Sequence, residues 1–190
     1  MNKNNASNVS AGKPKVGGAV FSAPVGTPLP TTTTEALDAA FVNLGYCSED
    51  GVTNSTSLET QKIKAWGGNT VLVILSSKDD QFKFKLIEVK NVDVLKYVYG
   101  NNNVSGTLET GIAINVNADD IPEQSLVIDM ILRDNTAKRI VVPSAKISEF
   151  GDINYADADA IGYEVTNDCT PDDSGNTHYE YLLKSGSPSA

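Results

Sequence analysis

Residues 126–133 read Leu-Val-Ile-Asp-Met-Ile-Leu-Arg, and this stretch defines the fold class most clearly. Alternate residues of a β-strand point to opposite faces of a sheet, and one face of this stretch is entirely apolar. The other face carries Val127, Asp129, Ile131 and Arg133, so it is half apolar rather than polar. In an antiparallel sheet with one solvent-exposed face, the alternation is cleaner than this. We therefore expect the second face to be partly covered, by a helix or by another chain.

Strand patterns continue along most of the chain. Phe82, Phe84 and Leu86 alternate with lysines, and residues 70–75 are a continuous apolar run rich in β-branched side chains. Further strand candidates, separated by turn signals, are residues 16–21, 56–66, 106–117, 137–150, 158–167 and 177–184. Roughly eight strands at this spacing predict a mainly β fold, an antiparallel β-sandwich or barrel.

One short α-helix is predicted over residues 91–100. Its apolar side chains recur at helical spacing and form a single stripe: Val92, Leu95, Val98 and Tyr99. Asn91 can cap the start of the helix, and Gly100 stands where a C-terminal glycine belongs. Two helical turns are too few to be stable alone, so we expect this helix to pack on the sheet.

The two ends of the chain differ in composition from the middle. Residues 1–15 are polar and cannot pack a core, which predicts a flexible N-terminal arm. Residues 185–190, Ser-Gly-Ser-Pro-Ser-Ala, are predicted to be a flexible C-terminal tail. Residues 16–184 are then a single β domain, since a chain of this length forms one domain of ordinary size.

Two internal segments do not follow the strand pattern. Residues 23–34 contain three prolines and four consecutive threonines, which predicts an extended connector. Residues 36–44 are compatible with a short helix or a strand. The loop from residue 46 to about residue 56 has too few apolar residues to pack within its own subunit, so we expect it to be mobile.

The charge balance argues against a protein that binds nucleic acid through its phosphates. Lys and Arg total 15 and Asp and Glu total 24, which gives a formal net charge of −9. Phosphate contacts need clustered Lys and Arg, whereas an acidic surface repels DNA and favours solubility. No run approaches the roughly 18 apolar residues of a membrane span, and residues 1–15 lack the apolar segment of an export signal. We expect neither a membrane span nor secretion.

No group of residues carries the signature of a catalytic or metal site. His178 is the only histidine, and neither Cys47 nor Cys169 lies in a recognisable nucleophile motif. Without an export signal, we expect both cysteines to stay reduced. Carboxylates cluster at Asp119 and Asp120, at Asp157 and Asp159, and at Asp172 and Asp173. Residues 168–175 have acids and a glycine but lack the closing Glu of a calcium loop. We expect a binding or structural protein without catalytic residues, metal or cofactor.

Residues 45–52, Gly-Tyr-Cys-Ser-Glu-Asp-Gly-Val, resemble a signature of the tail tube (major tail) proteins of long-tailed bacteriophages, the siphophages. The matching positions are Gly45, Tyr46, Ser48, Glu49, Asp50 and Gly51, followed later by Trp66, Gly67 and Gly68. Cys47 departs from the pattern, because a small or aliphatic residue is more usual there. Other similar landmarks are residues 20–30, 91–100, 142–147, 162–166 and 171–175. Each landmark is weak alone, and their common order makes the resemblance specific.

The resemblance implies a function in assembly. Six copies would form a ring, rings would stack into the hollow tail tube of the virion, and phage DNA would pass through the lumen without specific binding. The resemblance also makes residues 46–66 the candidate stacking loop or hairpin. A half-apolar second sheet face suits side-by-side joining of subunits, which also covers edge strands. An acidic wall would let DNA slide instead of adhere.

The resemblance also implies partners and an orientation. The partners are further copies of the chain, the tape measure protein, the tail terminator and the tail-tip proteins. Assembly would take place in the host bacterial cytoplasm, without a membrane. We expect Glu59, Glu109 and Asp129 to face the lumen, because each lies in a predicted strand opposite an apolar set or in a polar stretch beside one. The alternative for each residue is a solvated position on the tube exterior.

The residues alone are also compatible with another class of protein. An extracellular adhesive or carbohydrate-binding β-sandwich would explain the strands and the Thr/Pro-rich connector. It would also explain the Asn-x-Ser/Thr triplets at Asn5, Asn8, Asn54 and Asn103. The missing export signal counts against this interpretation. A β-fold hydrolase would need a nucleophile or an acid pair, and the sequence singles out neither.

Overall fold

The computed structural model describes residues 3–184, and within them the protein has eleven strands and one α-helix. The strands are β1 (Lys13–Pro14), β2 (Val20–Pro24), β3 (Val42–Asn43), β4 (Cys47–Lys64), β5 (Thr70–Leu86), β6 (Val104–Thr107), β7 (Gly111–Ile114), β8 (Gln124–Ile131), β9 (Thr136–Phe150), β10 (Tyr163–Cys169) and β11 (Tyr179–Lys184). Helix α1 spans Val92–Tyr99, and short 3-10 turns occur at Ala6–Asn8, Asn101–Asn103 and Arg133–Asn135. The predicted tail, residues 185–190, lies outside the described residues.

Nine of these strands form one antiparallel sheet in the order β3-β2-β8-β9-β10-β5-β4. Two short strands lie along the edges of the central pair. β1 pairs with β8 beyond the end of β2, and β11 pairs with β9 beyond the end of β10. β6 and β7 form a separate hairpin. An antiparallel, mainly β fold with one helix confirms the predicted fold class.

The predicted helix is confirmed, with the predicted caps. The Asn91 side-chain oxygen accepts a hydrogen bond from the backbone N–H of Asp93 at 3.0 Å. The helix ends at Gly100, whose φ of 91° is strained for any residue with a Cβ atom. Four of its eight residues are buried on the face that meets the sheet: Val94, Leu95, Tyr97 and Val98. Helix α1 is therefore held by packing, as its length requires.

One face of the sheet packs against α1 and forms the core. Phe82, Phe84 and Leu86 on β5 are at most 1% exposed, which confirms the alternation predicted there. The central strands add apolar side chains to the same cluster: Val20, Leu126, Ile128, Ile140, Val142 and Val165. Each buried side chain of this size contributes about 1.5–3 kcal/mol to the free energy of unfolding, so this cluster supplies most of the driving force for folding.

The opposite face of the central strands is covered by the chain itself. Asp129 on β8 stands opposite Arg139 on β9. The Arg139 Nε lies 2.7 Å from one Asp129 oxygen, and its Nη2 lies 2.8 Å from the other. The Arg139 Nη1 donates to the backbone oxygens of Thr32 and Glu35, at 3.0 and 2.7 Å. The connector between β2 and β3 therefore supplies the predicted cover, in place of the helix or another chain.

The predicted lumen position of Asp129 is wrong for the folded subunit. Asp129 is 4% exposed, and both of its carboxylate oxygens accept hydrogen bonds from Arg139. The alternation placed this residue on the second face correctly. It could not reveal the connector, whose backbone oxygens meet Arg139 from more than a hundred residues away in the sequence.

Element boundaries differ from the sequence prediction in three places. Residues 70–75 and most of 81–88 belong to one long strand, β5. Residues 106–117 contain a hairpin turn, so that they form parts of β6 and β7. Residues 36–44 form no helix, and only β3 is a strand within them. Each of the other predicted strands overlaps a strand of the structure.

The N-terminal segment contacts the body near its end. Strand β1 pairs with β8, and the Ser10 hydroxyl oxygen accepts a hydrogen bond from the backbone N–H of Arg133 at 2.8 Å. The backbone N–H of Lys15 donates to the Asp129 carbonyl oxygen at 3.3 Å. Residues 10–15 are therefore held against β8, which a polar composition did not indicate. The predicted mobility of residues 1–15 stays a prediction.

The Asp129–Arg139 pair gives a direct test of how the second face is stabilised. Asp129→Ala leaves the Arg139 guanidinium buried without its anion, so we predict a loss of about 3–5 kcal/mol in the free energy of unfolding. The double variant Asp129→Leu with Arg139→Met should recover most of that loss. Urea unfolding measures both.

Asp120→Ala is the control for this experiment, because it breaks the exposed ion pair with Lys146 and should cost less than about 1 kcal/mol. Equal losses in Asp129→Ala and Asp120→Ala would contradict the assignment of a buried, structurally required pair.

Candidate functional site

Strands β4 and β5 extend beyond the body of the protein as a long hairpin. β5 pairs with β10 only between Gln81 and Leu86. Towards Thr70 it continues with β4 as its only strand partner among the described residues. At about 3.3 Å per residue, the part of β5 before Gln81 extends for roughly 35 Å. The hairpin is therefore a projecting element with little support from the core.

The predicted mobile loop from residue 46 to about residue 56 is instead part of strand β4. This strand runs without a break from Cys47 to Lys64 and pairs with β5 along most of its length. Its alternation is poor because the strand has almost no core to face, so sequence periodicity could not identify it. Residues 46–66, predicted to be a stacking loop or hairpin, contain one strand of a hairpin whose other strand is β5. Their role in stacking stays a prediction.

The projecting part of β5 exposes apolar side chains on both faces. Residues 71–75 read Val-Leu-Val-Ile-Leu, and each is between 43% and 63% exposed. Leu58 and Ile63 on β4 are 59% and 41% exposed. Monomeric proteins rarely leave a contiguous apolar surface of this kind open to water. The hairpin therefore exposes an apolar surface of the kind that marks interaction sites in other proteins.

The tip of the hairpin carries a solvated aromatic side chain. Trp66, Gly67 and Gly68 form the turn, which is closed by a hydrogen bond from the Gly68 N–H to the Ala65 oxygen at 2.9 Å. The Trp66 side chain is fully exposed. The Trp-Gly-Gly landmark therefore forms the end of the hairpin.

The first part of the signature forms the base of the hairpin. The Tyr46 N–H donates to one Glu88 carboxylate oxygen, and the Asn91 side-chain amide donates to the other, each at 3.0 Å. A Cβ atom at position 45 would collide with the Glu88 carboxyl, and Gly45 has a φ of 72°. Only glycine fits there. Glu88, which sequence reasoning missed, thus ties the hairpin to the N-terminus of α1.

The second part of the signature is an irregularity in strand β4. Cys47 pairs with Leu86 and Val52 pairs with Phe84, so residues 48–51 stand opposite a single residue of β5. Within this bulge the Ser48 hydroxyl donates to the Asp50 carboxylate at 3.4 Å. Such bulges bend a strand and increase its twist. Ser48, Glu49, Asp50 and Gly51 therefore form an irregularity of β4 within the body of the sheet, before the hairpin projects from it.

A buried carboxylate fixes the hairpin where it leaves the sheet. Asp80 on β5 is 1% exposed and accepts hydrogen bonds from the hydroxyls of Thr56 on β4 and Thr177 before β11. The Lys78 ammonium lies 3.1 Å away. Burial raises the pKa of Asp80, but the hydrogen bonds from Thr177, Thr56 and Lys78 outweigh it and lower the pKa to about 2. The ionised carboxylate therefore joins three segments at the hairpin base.

His178 belongs to the same cluster. Its side chain is only 20% exposed. Its ring packs edge-on against Phe82, with 5.3 Å between ring centroids, and its Nδ1 lies 3.9 Å from Asp80. Sequence reasoning missed Asp80 and Thr177; the available signal was an acidic residue inside an otherwise regular strand.

The three lumen candidates do not share one element. Glu59 is exposed on β4, within the projecting hairpin. Glu109 is exposed in the turn between β6 and β7, so its prediction as a strand residue is wrong. Asp129 is buried in the main sheet. Glu59 and Glu109 thus keep accessible carboxylates, whereas Asp129 does not.

The cysteines are partly buried free thiols. Burial raises the pKa of Cys47 to about 11, and burial with the nearby charges of Asp80 and Asp168 raises that of Cys169 to about 12. Both thiols are therefore poor nucleophiles at neutral pH. Within residues 3–184 we find no cluster of three or more His, Cys, Asp or Glu side chains suited to a metal ion. That same part of the chain has no helix of the length and apolarity that crossing a membrane requires.

The pKa of Asp80 makes the hairpin base sensitive to acid. Because this pKa is lowered from 3.8 to about 2, the ionised carboxylate stabilises the fold above pH 4 and loses its effect between pH 4 and pH 2. We predict that Asp80→Asn lowers the free energy of unfolding by about 2 kcal/mol at pH 7, and that the difference from the unsubstituted protein narrows below pH 4.

Urea unfolding at several pH values measures this difference. Asp79→Asn, which changes the exposed neighbouring residue, is the matched control and should have little effect. A stability difference for Asp80→Asn that does not change between pH 7 and pH 2 would contradict the assignment.

Comparison with known proteins identifies the family. The sequence has no significant match among curated proteins. The family model for the phage tail tube protein matches residues 1–189, almost the entire chain. An antiparallel β fold with one helix is consistent with that family. The chain therefore belongs to the phage tail tube protein family, and it is a structural protein of the phage tail in the virion.

Proposed function

We propose that copies of this protein join side by side into six-membered rings, and that the rings stack into a hollow tube through which phage DNA is delivered. The observation that carries the proposal is the projecting hairpin. Its apolar strand is exposed on both faces, and the subunit has no further element that covers it within the described residues. Association with other copies removes this surface from water, which favours assembly.

The edges of the sheet supply a means of joining neighbours. β4 is the last strand of the sheet and pairs on one side only, with β5, in the described part of the chain. Its outer edge offers unpaired backbone groups along eighteen residues. Such an edge pairs readily with a strand of another chain. Because the two ends of the sheet are different strands, β3 and β4, a contact between unlike edges is head-to-tail and can close into a ring.

The charge of the protein supports a passage for DNA. A net charge of −9 disfavours phosphate binding, so DNA would slide along the wall. Glu59, on the projecting hairpin, is the candidate lumen residue that we retain, with Glu109 as the second. We further propose that the tape measure protein occupies the lumen during assembly in the host cytoplasm. Tail terminator and tail-tip proteins would then cover the two ends of the tube. The role is structural, without catalysis.

The apolar hairpin makes assembly depend on concentration. We predict that the purified protein is monomeric when dilute and forms tubes or stacked rings when concentrated or seeded with tail tips. The double variant Leu72→Asp with Ile74→Asp should raise the concentration needed for assembly by at least about a hundredfold, because each of these side chains is worth about 1.5–3 kcal/mol when buried. Sedimentation and negative-stain microscopy measure assembly.

Two controls accompany the hairpin variant. Val25→Asp changes an equally exposed apolar residue in the connector and should leave assembly unchanged. The melting temperature of the dilute double variant should also be unchanged, because neither side chain is buried in the subunit. A double variant that forms normal tubes at the normal concentration would show that the hairpin is not the assembly surface.

A charge change at Glu59 tests the lumen proposal. Glu59→Lys should leave the tube intact but slow the ejection of DNA, because an added cation on the wall holds phosphates. The slowing should weaken steeply as salt is raised. Ejection from particles with complete tails is the measurement, with Glu59→Gln as the control that removes charge without adding a cation. Unchanged ejection at low salt would place Glu59 on another surface of the tube.

A further inference from the structure

An apolar groove opens at the end of the body where β10 begins. It has a volume of about 500 Å³, within the size range of ligand-binding clefts. Val98 and Tyr163 line its interior and are buried, whereas Val116 and Phe150 line it while being 78% and 50% exposed. The interior of the groove is therefore apolar and buried, and its walls carry apolar side chains that are exposed to solvent.

The tip of the hairpin exposes apolar side chains of the kind that enter such a groove. Trp66 is fully exposed at the turn, and Ile63 and Val71 on either side of it are 41% and 63% exposed. A solvated indole at the end of a two-stranded hairpin contributes nothing to the stability of its own subunit. Large aromatic side chains of this kind are the usual anchors of protein interfaces when they enter an apolar pocket.

The charges of the two surfaces are opposite. Residues 60–77, which include the hairpin tip, contain Lys62 and Lys64 and no acidic residue. The two loops that flank the groove, residues 115–123 and 151–162, contain no Lys or Arg and have six acidic residues: Asp119, Asp120, Glu123, Asp152, Asp157 and Asp159. Of these, Asp120 is paired with Lys146. The others form no ion pair with any residue that the structure describes. Opposite potentials of this kind steer and orient an association.

The two surfaces lie at opposite ends of the same subunit. Tyr163, at the start of β10, pairs with Leu86 and lines the groove, whereas Asp168, near its end, pairs with Gln81. The hairpin leaves the body beyond the Asp168 end. By strand lengths, its tip is then about 50 Å from the groove of its own subunit. The tip can therefore reach a groove only on another copy. Because the tip and the groove lie at opposite ends of the subunit, such a contact can repeat along the length of a stack.

We propose that Trp66 of one copy inserts into the groove beside Val116 and Phe150 of a second copy. Lys62 and Lys64 then face the acidic loops at 115–123 and 151–162. The proposal rests on the tube assembly described above and identifies a contact between successive rings. The partner is a second copy of this chain, because the tip and the groove are both present in each subunit and cannot meet within one.

Disulfide trapping tests this contact while Trp66 is retained. Ala65→Cys places a thiol next to the indole, and Val116→Cys places one on the exposed wall of the groove. Cys47 and Cys169 are partly buried, and the unsubstituted protein, which carries both, measures any background from the native thiols. Under mild oxidation, assembled A65C/V116C should give a ladder of covalent oligomers. A mixture of the two single variants should give dimers only.

The outcomes separate this contact from the assembly proposal. A65C with Val25→Cys is the matched control and should give no ladder, because the connector is not at the groove. Tubes of A65C/V116C that show no ladder would overturn the tip-to-groove contact and leave the assembly proposal standing. Failure of the unsubstituted protein to form tubes, even at high concentration with tail-tip seeds, would overturn both.

Charge reversal gives a second test that needs no cysteine. Lys62→Glu with Lys64→Glu should raise the concentration needed for tube formation about three- to tenfold at low salt. Adding Asp119→Lys with Asp152→Lys to the same chain should restore assembly at the original concentration. Equal assembly by the Lys62/Lys64 variant, or no restoration in the quadruple variant, would overturn the proposed contact.

Discussion

Strand β5 carries more apolar surface than the subunit buries, and this excess shapes the rest of the molecule. Its residues Phe82, Phe84 and Leu86 enter the core below α1, where they are at most 1% exposed. Its residues 71–75 are just as apolar but continue beyond the sheet into water. A single strand thus joins the buried core to an exposed apolar surface that no element of the subunit covers within the described residues. The subunit thus has a complete buried core, but part of its apolar surface stays exposed to water.

The hairpin is held in a defined direction before any partner arrives. Glu88 connects Tyr46 to the capping residue Asn91, and Asp80 connects β4, β5 and the segment before β11 through hydroxyl hydrogen bonds. Both carboxylates act at the hairpin base, far from the tip. A binding element that is ordered in advance loses less conformational entropy on association. The signature at Gly45 and Tyr46 is thus explained by the geometry of the base.

The sequence predicted the parts of the structure that depend on local periodicity. The helix with Asn91 and Gly100 at its ends, the alternation at Phe82 and Phe84 and the strand at residues 126–133 all follow from spacing within one element. The burial of Asp129 did not follow, because the connector that covers it comes from a distant segment. Strand β4 was missed in part because a strand without a core shows no alternation. At the site, the landmarks at Gly45 and Trp66 were found by resemblance, whereas Glu88 and Asp80 needed the three-dimensional contacts.

The central claim is that other copies of the chain cover the projecting hairpin. Trp66 is the only tryptophan and is fully exposed at the hairpin tip, so its fluorescence reports on that tip alone. The direct measurement compares the emission of Trp66 and its quenching by acrylamide in dilute subunits and in sedimented tubes. We expect a blue-shifted emission and strongly reduced quenching in the tubes. Tubes in which Trp66 keeps the emission and the quenching of the dilute subunit would contradict it.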